Sequence, residues 1–269
     1  MRSLRLFLAA LAVVVLVIVG VRSFYTAAPS PALVSAVARR RLRAGAQKPS
    51  AETQIKQRLR DAPEYSHFFK TYAQAFPSDY AQLMKRFAKR DAVGGKIRTP
   101  DFYMSKAIAF LRRTRGILAA NAQSPPLERI FEVQSKVMKA LASADPRLCV
   151  EFLYGGSSPA FRVFAAGRRD LIADLGEAAL AAILDGQTHR IDRTAPTPVE
   201  FQQLETDLAS RGLQQSEIRA LLDGRTPDPP LSDQRMCAAG LTYLDALRAL
   251  PDDTRARMYA LAVELMARS

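Results

Sequence analysis

The chain has 269 residues, of which 48% are hydrophobic, and its 39 lysines and arginines against 26 acidic residues give a formal net charge of +13. This hydrophobic fraction excludes an intrinsically disordered chain and is typical of a folded one. Glycine occurs only thirteen times, while alanine, leucine, arginine and glutamine favour helix. The composition therefore predicts an all-α fold.

Residues 6–21 form an uncharged apolar stretch with arginines on both sides. As a helix it would span about 24 Å, which is short of the ~30 Å hydrocarbon core, but the flanking arginines can snorkel to the interface. A secretory signal peptide is the alternative, yet its best cleavage site, residues 26–28, would leave Pro29 at the new N-terminus. We therefore predict an uncleaved transmembrane or signal-anchor helix followed by a multi-helix globular region.

The charges around this stretch predict its orientation. Arg2 and Arg5 precede it together with the amino terminus, whereas Arg22 is followed by no other basic residue until Arg39. Basic residues near the end of a span favour the cytoplasmic side. The prediction is a single-pass protein of the bacterial inner membrane whose C-terminal domain is periplasmic.

The linker after the span begins with extended, proline-containing residues and then becomes basic. Residues 32–46 fit a short helix with apolar residues on one side. We interpret this segment as an interfacial helix on anionic lipid head groups, with a solvated spacer as the equal alternative. Its basic side consists of Arg39, Arg40, Arg41 and Arg43.

From Ala51 onward, apolar residues recur every three to four positions between prolines, which predicts successive helices. Ser78 is a good N-cap for the third of these helices, and the glycine pair Gly94-Gly95 fits its end. Thr99, followed by a proline, is predicted to cap the next helix.

The outer face of the third helix is basic. It carries two adjacent columns of like charge at i,i+4 spacing, which repel by a few tenths of a kcal/mol per pair. An anionic partner would relieve this repulsion, and an anionic lipid surface attracts each basic residue by about 1 kcal/mol. A solvated basic face is the alternative. The predicted binding residues are Lys85, Arg86, Lys89 and Arg90.

The middle of the chain contains one ambiguous segment and one long predicted helix. Residues 148–154 follow Asp145 and a proline, and their spacing fits a short helix or a strand. Residues 155–158 are rich in glycine and serine, so their amides could hold an anion at a helix start, although a plain N-cap after a tight turn explains them as well. A single helix is predicted from Pro159 to Gly186.

The last part of the chain is predicted to contain helices from Val199, Ser216 and Pro251, with Ser232 as the N-cap of another. Cys149 and Cys237 are the only cysteines. In an exported protein such a pair predicts a disulfide, while two reduced, buried cysteines are the alternative. No cofactor or metal site is predicted, because neither histidine lies near a cysteine in the sequence.

The positive charge lies close to the predicted span. Residues 1–50 hold eight basic and no acidic side chains, and residues 51–122 hold fourteen against six, whereas the remaining sequence is balanced and then slightly acidic. The predicted regions are an anchor at 1–21, a basic juxtamembrane linker at 22–50, a basic helical region at 51–122 and a helical domain with both cysteines at 123–269.

These features predict a membrane-anchored envelope protein that acts as a scaffold or partner-binding module for anionic lipid or an acidic protein. The usual catalytic motifs are absent from the sequence, so an enzyme is not the leading interpretation. One alternative is a periplasmic hydrolase that uses the carboxylate row Asp170, Asp174 and Glu177. The other is a cytoplasm-facing protein that binds nucleic acid. That alternative ranks lower because it requires the opposite orientation.

Overall fold

The computed structural model describes residues 49–224 and 228–268, and every regular element in these two ranges is helical. The prediction of an all-α fold is confirmed for them. The predicted anchor and the arginines Arg39, Arg40, Arg41 and Arg43 lie outside these residues. No helix within the described ranges combines the length and apolar character needed to cross a membrane.

Twelve α-helices and a short 3₁₀ helix at Pro63–Tyr65 make up the described residues. The first six are α1 (Ala51–Arg60), α2 (Ser66–Ala75), α3 (Pro77–Gly94), α4 (Pro100–Ala119), α5 (Ser124–Ala144) and α6 (Pro146–Leu153). The others are α7 (Pro159–Ala166), α8 (Arg169–Thr188), α9 (Pro198–Ser210), α10 (Gln215–Leu222), α11 (Asp233–Ala249) and α12 (Asp252–Arg268).

Local sequence signals set most of the helix starts. The side chains of Thr99, Ser158 and Ser232 each accept a hydrogen bond from the backbone N–H three residues on, as N-caps do. Asp145 caps α6 in a related way, so the ambiguous segment after it is a helix. The prediction for Ser78 is wrong, because α3 begins at Pro77. Proline lacks the N–H and its fixed φ suits the first helical position.

The long helix predicted from Pro159 to Gly186 is also wrong, because the chain breaks it into α7 and α8. Gly167 ends α7, and Arg168 leaves the helical region with φ −146° and ψ 46°. The axis therefore changes between the two helices. As a result, α7 can pack against α4 while α8 packs along α4, α5 and α2.

Helix α4 lies at the centre of one hydrophobic core. It packs most extensively against α8 and then against α12. Helix α5 also packs against α8. Helices of both predicted regions, 51–122 and 123–269, contribute buried side chains to this core. One of its contacts is the stack of Phe131 on Tyr259, with ring centroids 3.8 Å apart. On α12, Val263 is buried and Leu265 is 58% exposed.

The last turns of α8 and α4 approach each other closely in the core. A Cβ atom on Gly186 would stand 1.9 Å from the carbonyl oxygen of Leu118 and 3.0 Å from the backbone nitrogen of Ala122. Both are backbone atoms, so they cannot rotate away as a flexible side chain can. Gly186 therefore lets the two helices meet at backbone distance.

Because the obstacle is backbone, we expect Gly186→Ala to lower the free energy of unfolding by about 2 kcal/mol, despite the helix propensity that alanine adds. Urea denaturation of residues 49–269 measures this value. Gly167→Ala is the matched control, since its Cβ would meet nothing closer than 3.7 Å. Equal stability of the two variants would contradict the assigned packing.

The cysteines join two helices that are distant in the sequence. Cys149 of α6 and Cys237 of α11 are both buried, and their sulfur atoms lie 2.06 Å apart, which is disulfide distance. They are separated by 88 residues. Closing a loop of this length stabilises a fold by up to about 4.5 kcal/mol in the chain-entropy model. The bond would add to the packing of α6 against α11.

Candidate anion-binding surface

The four basic residues predicted on the third helix lie together on the solvent side of α3. Lys85, Arg86, Lys89 and Arg90 are all exposed. The opposite side of the helix is buried in the core through Leu83, Met84 and Phe87. The helical spacing read from the sequence therefore placed this face correctly.

Other segments add cations beside this face, and sequence reasoning missed them as site residues. Arg98 comes from the connection between α3 and α4, Lys106 and Arg113 come from α4, and Arg162 comes from α7. Together with two residues of α3 they form what we call the basic cluster. Its members are Arg86, Arg90, Arg98, Lys106, Arg113 and Arg162.

Two aromatic rings of α4 lie in contact with four arginines of the basic cluster. The guanidinium carbons of Arg90, Arg98 and Arg162 lie 5.3, 5.7 and 5.6 Å from the ring centroid of Phe102. Further along α4, the ring centroid of Phe110 lies 4.9 Å from the guanidinium carbon of Arg86. Each distance is within the ~6 Å over which a cation is attracted to an aromatic face.

The pKa of Lys106 is affected by other cations of the basic cluster. Burial of its side chain lowers the pKa of the ammonium group, and the positive charges of Arg90, Arg162 and Arg113 lower it further. No carboxylate contributes an opposing effect on this pKa. The cations are therefore close enough to repel one another, and the fold does not neutralise them.

The carboxylates nearest to Arg90 and Arg98 in the sequence, on Asp91 and Asp101, form hydrogen bonds inside the fold. Asp91 accepts a hydrogen bond from the hydroxyl of Tyr103. Asp101 accepts hydrogen bonds from the hydroxyl of Tyr65 at 3.0 Å and from Nε of Arg169 at 2.9 Å. Both carboxylates are buried, at 3% exposure. They stabilise the start of α4 and leave the basic cluster without acidic partners.

Other arginines in the described part of the chain form ion pairs with carboxylates, whereas those of the basic cluster form none there. Arg115 pairs with Asp79, and Arg129 pairs with Asp174. Within the described ranges, no ion pair joins a member of the basic cluster to a carboxylate. Residues 1–48 and 225–227 contain no aspartate or glutamate at all. The cations of the basic cluster therefore have no carboxylate partner within the described ranges.

Backbone contacts position two members of the basic cluster. Gly95 ends α3 in the left-handed conformation, with φ 62°, and so turns the chain toward Arg98. The backbone N–H of Arg98 then donates to the hydroxyl of Tyr103 at 3.0 Å. On α7, Nη1 of Arg162 donates to the carbonyl oxygen of Ser157 at 3.2 Å.

The glycine–serine segment before α7 holds an anion that belongs to the protein itself. The backbone N–H of Ser158 donates to a carboxylate oxygen of Glu151. A Cβ on Gly156 would stand 2.6 Å from the Glu151 side chain, so glycine is needed for this approach. The N-terminus of α7 is therefore satisfied internally.

The remaining candidates do not form a shared site. In the carboxylate row, Asp170 is exposed, Asp174 pairs with Arg129 at 3.1 Å and Glu177 is half-buried. His189 is exposed and lies 2.9 Å from a carboxylate oxygen of Asp185. No group of three or more potential metal ligands is found among the residues described.

Because Lys106 is surrounded by cations, we expect Lys106→Met to stabilise the protein at low salt by about 0.5–1 kcal/mol, which raises the unfolding midpoint by about 1–4 °C. Thermal unfolding of residues 49–269 at low and high salt measures the change. Screening should remove most of it in high salt. Lys136→Met, at an exposed position of α5, is the control. A destabilised Lys106→Met protein at low salt would contradict the assigned repulsion.

Comparison with protein-family models, with curated proteins and with solved structures finds no match to this chain. Function has therefore to be argued from the site itself, from its charges, distances and partners. The feature that distinguishes the described surface is the basic cluster, whose six cations pair with no carboxylate among the described residues and four of which contact rings of α4.

Proposed function

We propose that this protein is a membrane-anchored helical module of the bacterial envelope whose basic cluster docks on anionic lipid head groups. Its role is scaffolding or partner binding at the membrane. The observation that carries the proposal is the convergence of six cations from α3, α4, α7 and the connection between α3 and α4, with no carboxylate of the described residues paired to them. Unpaired charge of this kind is relieved by an anionic surface.

Exposed apolar side chains beside the basic cluster support a membrane surface as the partner. Val93 is 85% exposed and follows Arg90 by three residues, at the end of the basic side of α3. Val163 is 77% exposed and neighbours Arg162 on α7. Proteins that bind at the interface commonly combine apolar residues that enter the head-group region with cations that pair with phosphates.

The predicted anchor and the cysteines support the periplasmic location. The basic residues before the apolar stretch favour export of the remaining chain. A cysteine pair at disulfide distance is expected in an oxidising compartment. Binding of nucleic acid by the same cations would require the opposite orientation, and a hydrolase on α8 finds no support in the ion-paired Asp174.

A vesicle flotation assay tests the docking. We use residues 49–269, because the described helices of this segment share one core. Binding to phosphatidylcholine vesicles with one third phosphatidylglycerol is expected at low salt and is expected to weaken steeply as salt rises. Vesicles of phosphatidylcholine alone should not bind. Absence of binding to the anionic vesicles at low salt would rule out the proposed function.

A charge-neutralised variant locates the contact. Replacing four exposed members of the basic cluster, Arg86, Arg90, Arg98 and Arg113, by glutamine should lower the affinity for anionic vesicles about a hundredfold or more, since each basic residue near the surface contributes about 1 kcal/mol. The control variant removes the same charge at exposed positions elsewhere, where glutamine replaces Arg60, Lys136, Arg190 and Arg219. Equal losses in the two variants would show that only net charge matters.

Location is tested in intact cells. Free thiols are first blocked with a permeable maleimide, and the protein is then denatured and labelled with or without prior reduction. Export predicts that Cys149 and Cys237 are labelled only after reduction, and that external protease digests the helical module in spheroplasts. Labelling without reduction, together with protection from protease, would favour the cytoplasmic, nucleic-acid-binding alternative.

A further inference from the structure

We propose that part of the basic cluster is a discrete binding site for a phosphate monoester group, held by the cations that meet at Phe102. This inference rests on the proposed function of the same surface and names the chemical group that it recognises. The site residues are Arg90, Arg98, Lys106 and Arg162.

The geometry brings these side chains to one place. The guanidinium carbons of Arg90, Arg98 and Arg162 all lie within 6 Å of the same ring centroid. They arrive from three separate segments, namely α3, the connection to α4, and α7. Lys106 lies one helical turn after Phe102 on α4 and is close enough to Arg90 and Arg162 to be affected by their charges. Cations from three separate segments therefore meet at one ring, unlike a row of cations along one helix.

The donor chemistry matches a phosphate with several free oxygens. A guanidinium presents a planar fork of N–H donors that binds two oxygens at once, whereas an ammonium acts as a compact point charge. A phosphate monoester carries a charge of about −1.5 to −2 and three terminal oxygens. Three forks and one ammonium can engage all three oxygens, which exceeds what a diester with two terminal oxygens requires.

The donors are available because the fold makes little use of them. Arg162 donates Nη1 to the carbonyl of Ser157, which leaves its other N–H groups for a ligand. Among the described residues no carboxylate pairs with any of the four side chains. The nearby Asp91 and Asp101 are buried and bonded to tyrosine hydroxyls, so they do not compete for the cations.

Phe102 prepares the site for binding. Its ring is only 7% exposed, so it is fixed by the core while the guanidiniums lie around it. Attraction to the ring limits the rotamers of the arginines before any ligand arrives, which lowers the entropy lost on binding. The lowered pKa of Lys106 is compatible with this arrangement, because burial lowers it first and the charges of Arg90, Arg162 and Arg113 lower it further, and a bound anion would offset the effect of these charges.

The test uses the full chain in phosphatidylcholine nanodiscs and titrates inorganic phosphate by calorimetry at constant ionic strength. We expect saturable binding of a single phosphate. Replacing Arg90, Arg98 and Arg162 by glutamine should weaken binding at least about tenfold, and replacing them by lysine, which keeps the charge but loses the fork, should weaken it about fivefold. Glutamine at Arg60, Arg190 and Arg219 is the charge-matched control and should change the affinity less than about twofold.

Nanodiscs of different lipids identify the source of the phosphate group. If the ligand is a lipid head group, discs with phosphatidic acid, a monoester, should compete with added phosphate, and discs with phosphatidylglycerol at equal surface charge should compete less. Lack of competition by both lipids, with phosphate binding intact, assigns the site to a soluble phosphate ester.

Two results would overturn the inference. One is phosphate binding that the glutamine variant retains as well as the control does. The other is full affinity in the lysine variant, which would mean that only charge is recognised. Neither result decides the proposed function, because vesicle flotation of residues 49–269 tests docking on diffuse anionic charge by itself.

Discussion

The close packing of α4 against α8 is the constraint on which the rest of this protein depends. Gly186 lets the ends of the two helices meet at the backbone of Leu118. One side of α4 is thereby committed to the core, where α8 and α12 cover it. Its other side carries Phe102, Lys106 and Arg113 toward α3 and α7, whose arginines complete the basic cluster. The surface chemistry is thus a consequence of which side of the central helix the core requires.

The distribution of acidic groups explains why that surface stays positive. The carboxylates closest to it, on Asp91 and Asp101, are buried and satisfy the hydroxyls of Tyr103 and Tyr65. Burying a carboxylate is costly unless it is hydrogen-bonded, and both oxygens of Asp101 and one oxygen of Asp91 accept hydrogen bonds. Their use inside the fold stabilises the start of α4, and it also removes the groups that would neutralise the cations outside. The stability of the core and the affinity of the surface for anions therefore have a common origin.

Local features of this fold could be predicted from the sequence, and long-range ones could not. Caps such as Thr99 and Ser232 act through the next few residues, and the outer face of α3 follows from helical spacing, so both were predicted correctly. The break at Gly167 was missed because one glycine within an apolar periodicity is a weak signal. The meeting of Arg98 and Arg162 at Phe102 depends on tertiary packing between segments over sixty residues apart. No spacing rule contains that information.

An anchor changes how strong the head-group contact has to be. In the proposed function the N-terminal span already holds the module at the membrane, so that docking of the basic cluster is an intramolecular step. Its effective concentration is then set by the tether rather than by the concentration in solution, and weak sites become occupied. Under these conditions a site gains little from greater affinity and more from selectivity among anions. Guanidinium forks fixed around an aromatic ring provide selectivity, whereas lysines on long, mobile stems provide only attraction. Three arginines around Phe102 therefore suit an anchored module better than three lysines would.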